Sequence, residues 1–143
     1  MKLKHKDNCN DRDSDLLEKL QLSMARIVTG ARKGTSHQLL YQDTNWLTLE
    51  ERRQLIKLKY FARIVNNESP EYLRDLLPRP FGAVRDNTRN PENFTAFKTR
   101  TETFRSSFLP SSVILWNSKN PDERTIENLT TAMKTHCKMN FFT

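Results

Sequence analysis

The segment Thr48-Leu49-Glu50-Glu51 constrains this chain more than any other. It is a capping box: Thr48 and Glu51 can satisfy each other's free backbone amides at the start of a helix. Helical periodicity then continues to about Asn66, where Asn67 can end it. On a wheel of that helix, Leu55, Leu58, Phe61, Ala62 and Val65 cover one side, while Ile56, Tyr60 and Ile64 cover nearly the opposite side. Arg52, Lys59 and Arg63 form one stripe between them, and Arg53 and Lys57 form the other. A surface helix of a small domain needs only one apolar face. Two faces leave two readings: a central helix of this chain's own bundle, or a helix whose second partner lies elsewhere.

The neighbouring segments carry their own punctuation. Asp13-Ser14-Asp15 is a cluster of N-cap types, with acidic charge where the helix dipole favours it. Leu17, Leu20, Met24, Ile27 and Val28 follow at helical spacing and make one apolar stripe, and Gly30 is a natural left-handed C-cap. Gly34-Thr35-Ser36 restarts the chain toward a short helix carrying Leu39, Leu40 and Tyr41. Ser69-Pro70-Glu71 opens another, with Tyr72, Leu73, Leu76 and Leu77 on its apolar side and Pro78 as its stop. Residues 79–93 read as a linker or loop. Part of the Phe-, Thr- and Arg-bearing stretch after it, near 95–103, has an extended pattern. Pro110 is placed to open a helix through Val113, Ile114, Leu115 and Trp116, and a last helix runs from about Thr125 to Lys138. The expected fold is mainly α, an irregular multi-helix assembly with long loops and at most a short strand near 95–103. Its expected divisions are a disordered basic N-terminus (1–13), a helical module (14–78), the linker (79–93) and a C-terminal module with two helices (94–143).

Composition narrows the function. Only 36% of residues are hydrophobic against 29% charged, and the formal net charge is +7 with a sequence pI near 9.6. That excess favours polyanions, of which nucleic acid is the commonest, through counterion release and long-range attraction. No apolar run approaches the roughly 20 residues needed to span a bilayer, and no apolar segment follows the basic start Met1-Lys2-Leu3-Lys4-His5-Lys6, so the chain reads as intracellular, without a membrane partner. Cys9 and Cys137 then read as reduced thiols. His5, Cys9, His136 and Cys137 lack the paired spacing of zinc modules, so no metal and no cofactor is expected. No glycine-rich phosphate loop or Ser-His-Asp arrangement stands out, and Asp13 and Asp15 are better explained as helix caps than as metal-binding carboxylates. The remaining signal is cationic: Arg26, Arg32 and Lys33 at the end of the first helix, and Arg52, Arg53, Lys57, Lys59 and Arg63 along the third. Trp46, Tyr41 and Trp116 are candidates to stack on bases, although apolar neighbours favour core positions for all three.

Several strings in fixed order carry a family resemblance. They are Leu16-Leu17-Glu18-Lys19-Leu20-Gln21, Ala25-Arg26-Ile27-Val28-Thr29-Gly30-Ala31, and Gly34-Thr35-Ser36. Trp46, Leu49, Arg52 and Arg53 follow, then Lys57, Leu58, Tyr60, Phe61, Val65 and Asn66. The order continues through Pro70, Tyr72, Leu73, Leu76, Leu77 and Pro78, and resumes with Arg100-Thr101, Ser107-Phe108, Pro110 and Leu115-Trp116-Asn117-Ser118. Together these resemble the region after the polymerase core in jockey-like non-LTR retrotransposon reverse transcriptases, over about residues 14–138. Asp7-Asn8-Cys9 is similar to the end of that family's last thumb-like helix, except that Lys6 stands where a Trp usually precedes the Asp.

The resemblance implies a C-terminal, non-catalytic part of an RNA-directed DNA polymerase, since none of the family's catalytic aspartate motifs lies on this chain. It implies a helical extension that packs on the polymerase core of the same polypeptide and contributes to binding template RNA or target DNA. Gly30, Trp46, Pro110, Trp116 and Asn117 are then motif positions with structural roles. The alternatives are a purely structural extension that touches no nucleic acid, and a transposon relic without selected function.

Overall fold

The computed structural model describes residues 10–84 and 90–137, with 133–137 described by backbone alone. The described residues are mainly helical: α1 (Asp11–Thr29), α2 (His37–Thr44), α3 (Leu49–Val65), α4 (Glu71–Asp75), α5 (Glu102–Ser106), α6 (Phe108–Ser118) and α7 (Ile126–Cys137). Two short 3-10 turns, Phe81–Ala83 and Pro121–Arg124, lie between them.

The local signals explain most helix ends. At α3 the capping box forms in full: the Glu51 amide donates to Thr48 Oγ1 at 3.2 Å, and the Thr48 amide donates to Glu51 Oε2 at 3.0 Å. Asn67 takes the left-handed conformation (φ 61°) beyond the other end, and the Glu68 amide closes onto the Arg63 carbonyl at 2.8 Å. Gly30 (φ 65°) terminates α1 in the same conformation. Pro110 is tolerated inside α6 because it falls in the first turn, where amides have no intrahelical acceptor. α1 begins at Asp11, before the Asp13 cluster, which puts Asp11 and Asp13 in its first turn. Lys138 and residues 1–9 lie outside the described residues.

Two apolar clusters hold the helices. The larger joins Leu58, Phe61 and Ala62 of α3 to Phe94, to Val113, Leu115 and Trp116 of α6, and to Leu129 of α7, with Leu55, Val65, Leu77, Phe97 and Ile126 around it. Phe61 is its centre, edge-on to Phe94 at 5.6 Å and tilted against Trp116 at 5.3 Å. The smaller joins Leu22 and Ala25 of α1 to Leu40 of α2, flanked by Ala31, Tyr41 and Trp46.

No strand forms over residues 95–103. The described residues hold only an isolated bridge between Pro80 and Phe94, and α5 begins at Glu102. The backbone groups that a strand would offer at Phe94 are taken by a side chain: Phe94 N–H donates to Asn117 Oδ1 at 3.0 Å, and Asn117 Nδ2 donates to the Phe94 carbonyl at 2.8 Å.

The apolar stripe of α1 faces outward. Leu17, Leu20, Met24, Ile27 and Val28 are 46–74% exposed, while Leu22 and Ala25 are buried. Polar anchors set this orientation. Glu18 accepts hydrogen bonds from Tyr41 Oη and from the Leu49 amide (3.1 Å), Gln21 Nε2 donates to the Leu47 carbonyl at 2.7 Å, and Arg53 Nη1 donates to Ser14 Oγ at 3.4 Å. Ser14, Glu18 and Gln21 share the side of α1 that carries Leu22 and Ala25, so bonding them to α2 and the start of α3 turns the larger residues away.

Candidate nucleic-acid interface

The capping box fixes where α3 starts, and the large cluster fixes how it is rotated. With Leu58, Phe61 and Ala62 packed inward, the opposite side must face out. There the structure separates the second apolar face. Ile64 is buried, whereas Ile56 and Tyr60 are 36% and 56% exposed. At 100° per residue, Arg63, Arg52 and Lys59 lie roughly 40–80° to one side of the line through Ile56 and Tyr60, and Arg53 and Lys57 roughly 40–80° to the other. The outward face of α3 is thus an exposed apolar and aromatic ridge between two cationic rows. From Arg52 to Arg63 it runs about 16 Å at 1.5 Å per residue.

The cations are not equally available. Arg63 pairs with Glu68 at 3.7 Å, both side chains being about half exposed. Arg53 donates to Ser14, and Lys57 also has an interaction partner. Among the described residues, no ion pair engages Arg52 or Lys59. Arg26 is half-buried at the end of α1, and its Nε lacks a hydrogen-bond partner. Arg32 and Lys33 are exposed in the turn beyond Gly30, where the Arg32 carbonyl accepts the Thr35 amide and hydroxyl. The predicted cations therefore fall into two groups, one along α3 and one around the α1–α2 turn.

The aromatic candidates sort differently from the cations. Trp116 is buried against Phe61. Tyr41 and Trp46 are half-buried on the small cluster and, with Gln38, Gln42, Asn45, Thr48 and Glu51, line a shallow depression of about 330 Å³ that carries no cation. Tyr60, which is not among the predicted stacking residues, stands 56% exposed between the cationic rows of α3, and its rotation about the α3 axis reveals this. Burial, then the hydrogen bond to Glu18, holds the Tyr41 phenol well above its ordinary ionisation range.

Two further residues have roles that spacing did not disclose. Arg124 is buried, and no ion pair with a carboxylate engages it among the described residues. Its Nε and Nη2 donate to the Lys119 carbonyl at 2.9 and 2.6 Å, Nη2 also donates to Asn93 Oδ1 at 2.8 Å, and its guanidinium lies 5.3 Å from the centre of the Trp116 ring. Desolvation lowers its pKa, opposed by the charge of Glu92. Asn117, by engaging both backbone groups of Phe94, ties the loop before α5 to α6. Gly30 caps α1, Trp46 packs on the small cluster and Pro110 is buried in α6.

No group of three or more His, Cys, Asp or Glu side chains among the described residues is placed to hold a metal ion. His5, Cys9 and the side chains of His136 and Cys137 lie outside what is described. No described helix is long and apolar enough to cross a membrane. No protein-family model, curated protein or solved structure matches the chain.

Proposed function

We propose that this chain is the C-terminal, non-catalytic region of a jockey-like non-LTR retrotransposon reverse transcriptase, and that the outward face of α3 contacts template RNA or target DNA. The observation that carries the binding half is the exposed Ile56–Tyr60 ridge between cationic rows. Cations alongside an exposed ring suit a single strand, whose phosphates need neutralising and whose bases stack without regard to sequence. The motif strings of the sequence support the family half. A polymerase core of the same polypeptide is the proposed neighbour, and the chemistry of DNA synthesis is assigned to it.

Binding should then be sequence-independent and steep in salt. If three α3 cations each neutralise a phosphate, the slope of log K against log salt is about −2 on a single strand, near a 20-fold loss between 50 and 200 mM. Fluorescence anisotropy with labelled single-stranded RNA and DNA measures this. Arg52→Gln with Arg53→Gln should reduce the slope by about 1.4 while leaving helicity intact. Absence of salt-sensitive binding at micromolar protein overturns the proposal.

A second reading has its own support, because Arg53 and Arg63 already hold partners within the fold. On that reading α3 is a scaffold packed on the polymerase core and touches no phosphate. The same double variant separates the two: lost binding with intact helicity favours phosphate contact, and lost solubility or folding favours the scaffold.

A further inference from the structure

The outward stripe of α1 has a symmetry of its own. Leu16, Leu17, Leu20, Met24, Ile27 and Val28 are the exposed large apolar residues of this helix, each between 46% and 74% exposed. Their spacing reads the same in both directions about position 22: Leu16 mirrors Val28, Leu17 mirrors Ile27, and Leu20 mirrors Met24. The core of the set, Leu17, Leu20, Met24 and Ile27, has the three-four-three spacing of a coiled-coil seam. The stripe runs about 18 Å along the helix and lies roughly 140° around the axis from the side that carries Leu22 and Ala25.

We infer that this face pairs with the same face of a second copy of the chain, as an antiparallel two-helix seam on a two-fold axis near residue 22. A two-fold interface must be complementary to itself, residue i meeting j while j meets i. A spacing that is its own mirror image meets that condition in the antiparallel sense, setting Leu16 against the partner's Val28, Leu17 against the partner's Ile27, and Leu20 against the partner's Met24. The charges agree with this direction. Asp13 lies on the line of the stripe at the start of α1, and Arg32 and Lys33 stand exposed just beyond its end. Antiparallel pairing brings each acidic end to a basic end and opposes the helix dipoles, whereas parallel pairing would stack like charges. The attachment of α1 to its own fold leaves this face open, because Leu22, Ala25, Glu18 and Gln21 make the intramolecular contacts from the other side. The inference does not depend on nucleic-acid binding, since it uses a different helix.

The test is sedimentation velocity on the full 143-residue chain, paired with cross-linking. Wild type should move as a dimer of the 16.9 kDa chain at about 100 µM, above a micromolar-range dissociation constant. Leu20→Glu with Met24→Glu should move as a monomer with unchanged helical circular dichroism. Direction is tested by single cysteines in a Cys9→Ser, Cys137→Ser background. With a short bismaleimide, Leu17→Cys mixed with Ile27→Cys should yield covalent dimer, and neither variant should do so alone. In the antiparallel seam, position 17 lies about 15 Å along the axis from its own copy. A wild-type monomer at about 100 µM assigns the face to another occupant, a different segment of this chain or another protein, and overturns the pairing. So does efficient cross-linking of either single variant with itself, or a dimer that survives both glutamates.

Discussion

Replacing Asn117 by Ala isolates a device that helical periodicity does not predict. The amide makes two bonds at 3.0 and 2.8 Å to the N–H and C=O of Phe94, whose side chain is buried in the large cluster. Truncation leaves a donor and an acceptor that only water can satisfy. Each such group costs about 1–3 kcal/mol when buried, and partial exposure of Asn117 places the sum at about 2–4 kcal/mol. For a chain of this size that lowers Tm by about 6–12 °C. Thermal melts at 222 nm and urea titrations should agree, with the denaturant midpoint moving and m unchanged. Asn117→Asp sharpens the test. An ionised carboxylate can accept the Phe94 N–H but opposes its carbonyl oxygen, whereas the protonated acid can donate to it. The folded-state pKa of the new group is therefore raised above its unfolded value near 3.9. The stabilising bond is fully present below about pH 3.9 and is lost as pH rises through the folded value. Asn117→Asp should thus be as weak as Asn117→Ala at neutral pH and recover relative to it in acid. If Asn117→Ala costs less than about 0.5 kcal/mol, the bonds to Phe94 are not holding this loop and the reasoning fails.

Two further predictions concern the α1–α2 unit. Tyr41→Phe removes the phenol bond to Glu18 and should cost about 1–2 kcal/mol at neutral pH. The folded pKa of Tyr41 is raised, so the wild-type advantage is intact below about pH 10 and shrinks above it, which urea midpoints taken from pH 7 to 11 would reveal. Gly30→Ala meets no atom within 4 Å, so its cost of about 1 kcal/mol comes from the left-handed backbone alone, and Gly30→Asn should cost less in the same titration.

What the sequence made legible was local. Thr48 and Glu51 close the capping box, and Gly30 and Asn67 take left-handed conformations at helix ends, all through interactions within a turn or two, while helical spacing alone marks the side of α3 that carries the buried Leu58, Phe61 and Ala62. The rotation of α1 was not legible, because Glu18, Gln21 and Ser14 settle it through partners 23–39 positions away. Its largest apolar residues suggest one buried face and its polar anchors select another. The stretch near 95–103, where at most a short strand is expected, forms none, and α5 begins within it at Glu102. On α3 the predicted second face was half visible. Ile64 is buried, while Ile56 and Tyr60 are exposed, and burial at a helix end depends on what packs there rather than on spacing.

The two outward surfaces differ in kind, and that difference makes their partners separable. On α3 the apolar pair sits between cationic rows, so a polyanion can engage both at once, and its hold must weaken as salt displaces it. On α1 the exposed stripe from Leu16 to Val28 is itself apolar, so pairing draws mainly on area removed from water, which salting-out ions strengthen. Raising sulfate concentration should therefore release nucleic acid from α3 while leaving an α1 dimer in place or tightening it. A single surface serving both partners would instead respond with one sign, and measuring oligomeric state and oligonucleotide anisotropy in the same titration decides between these cases.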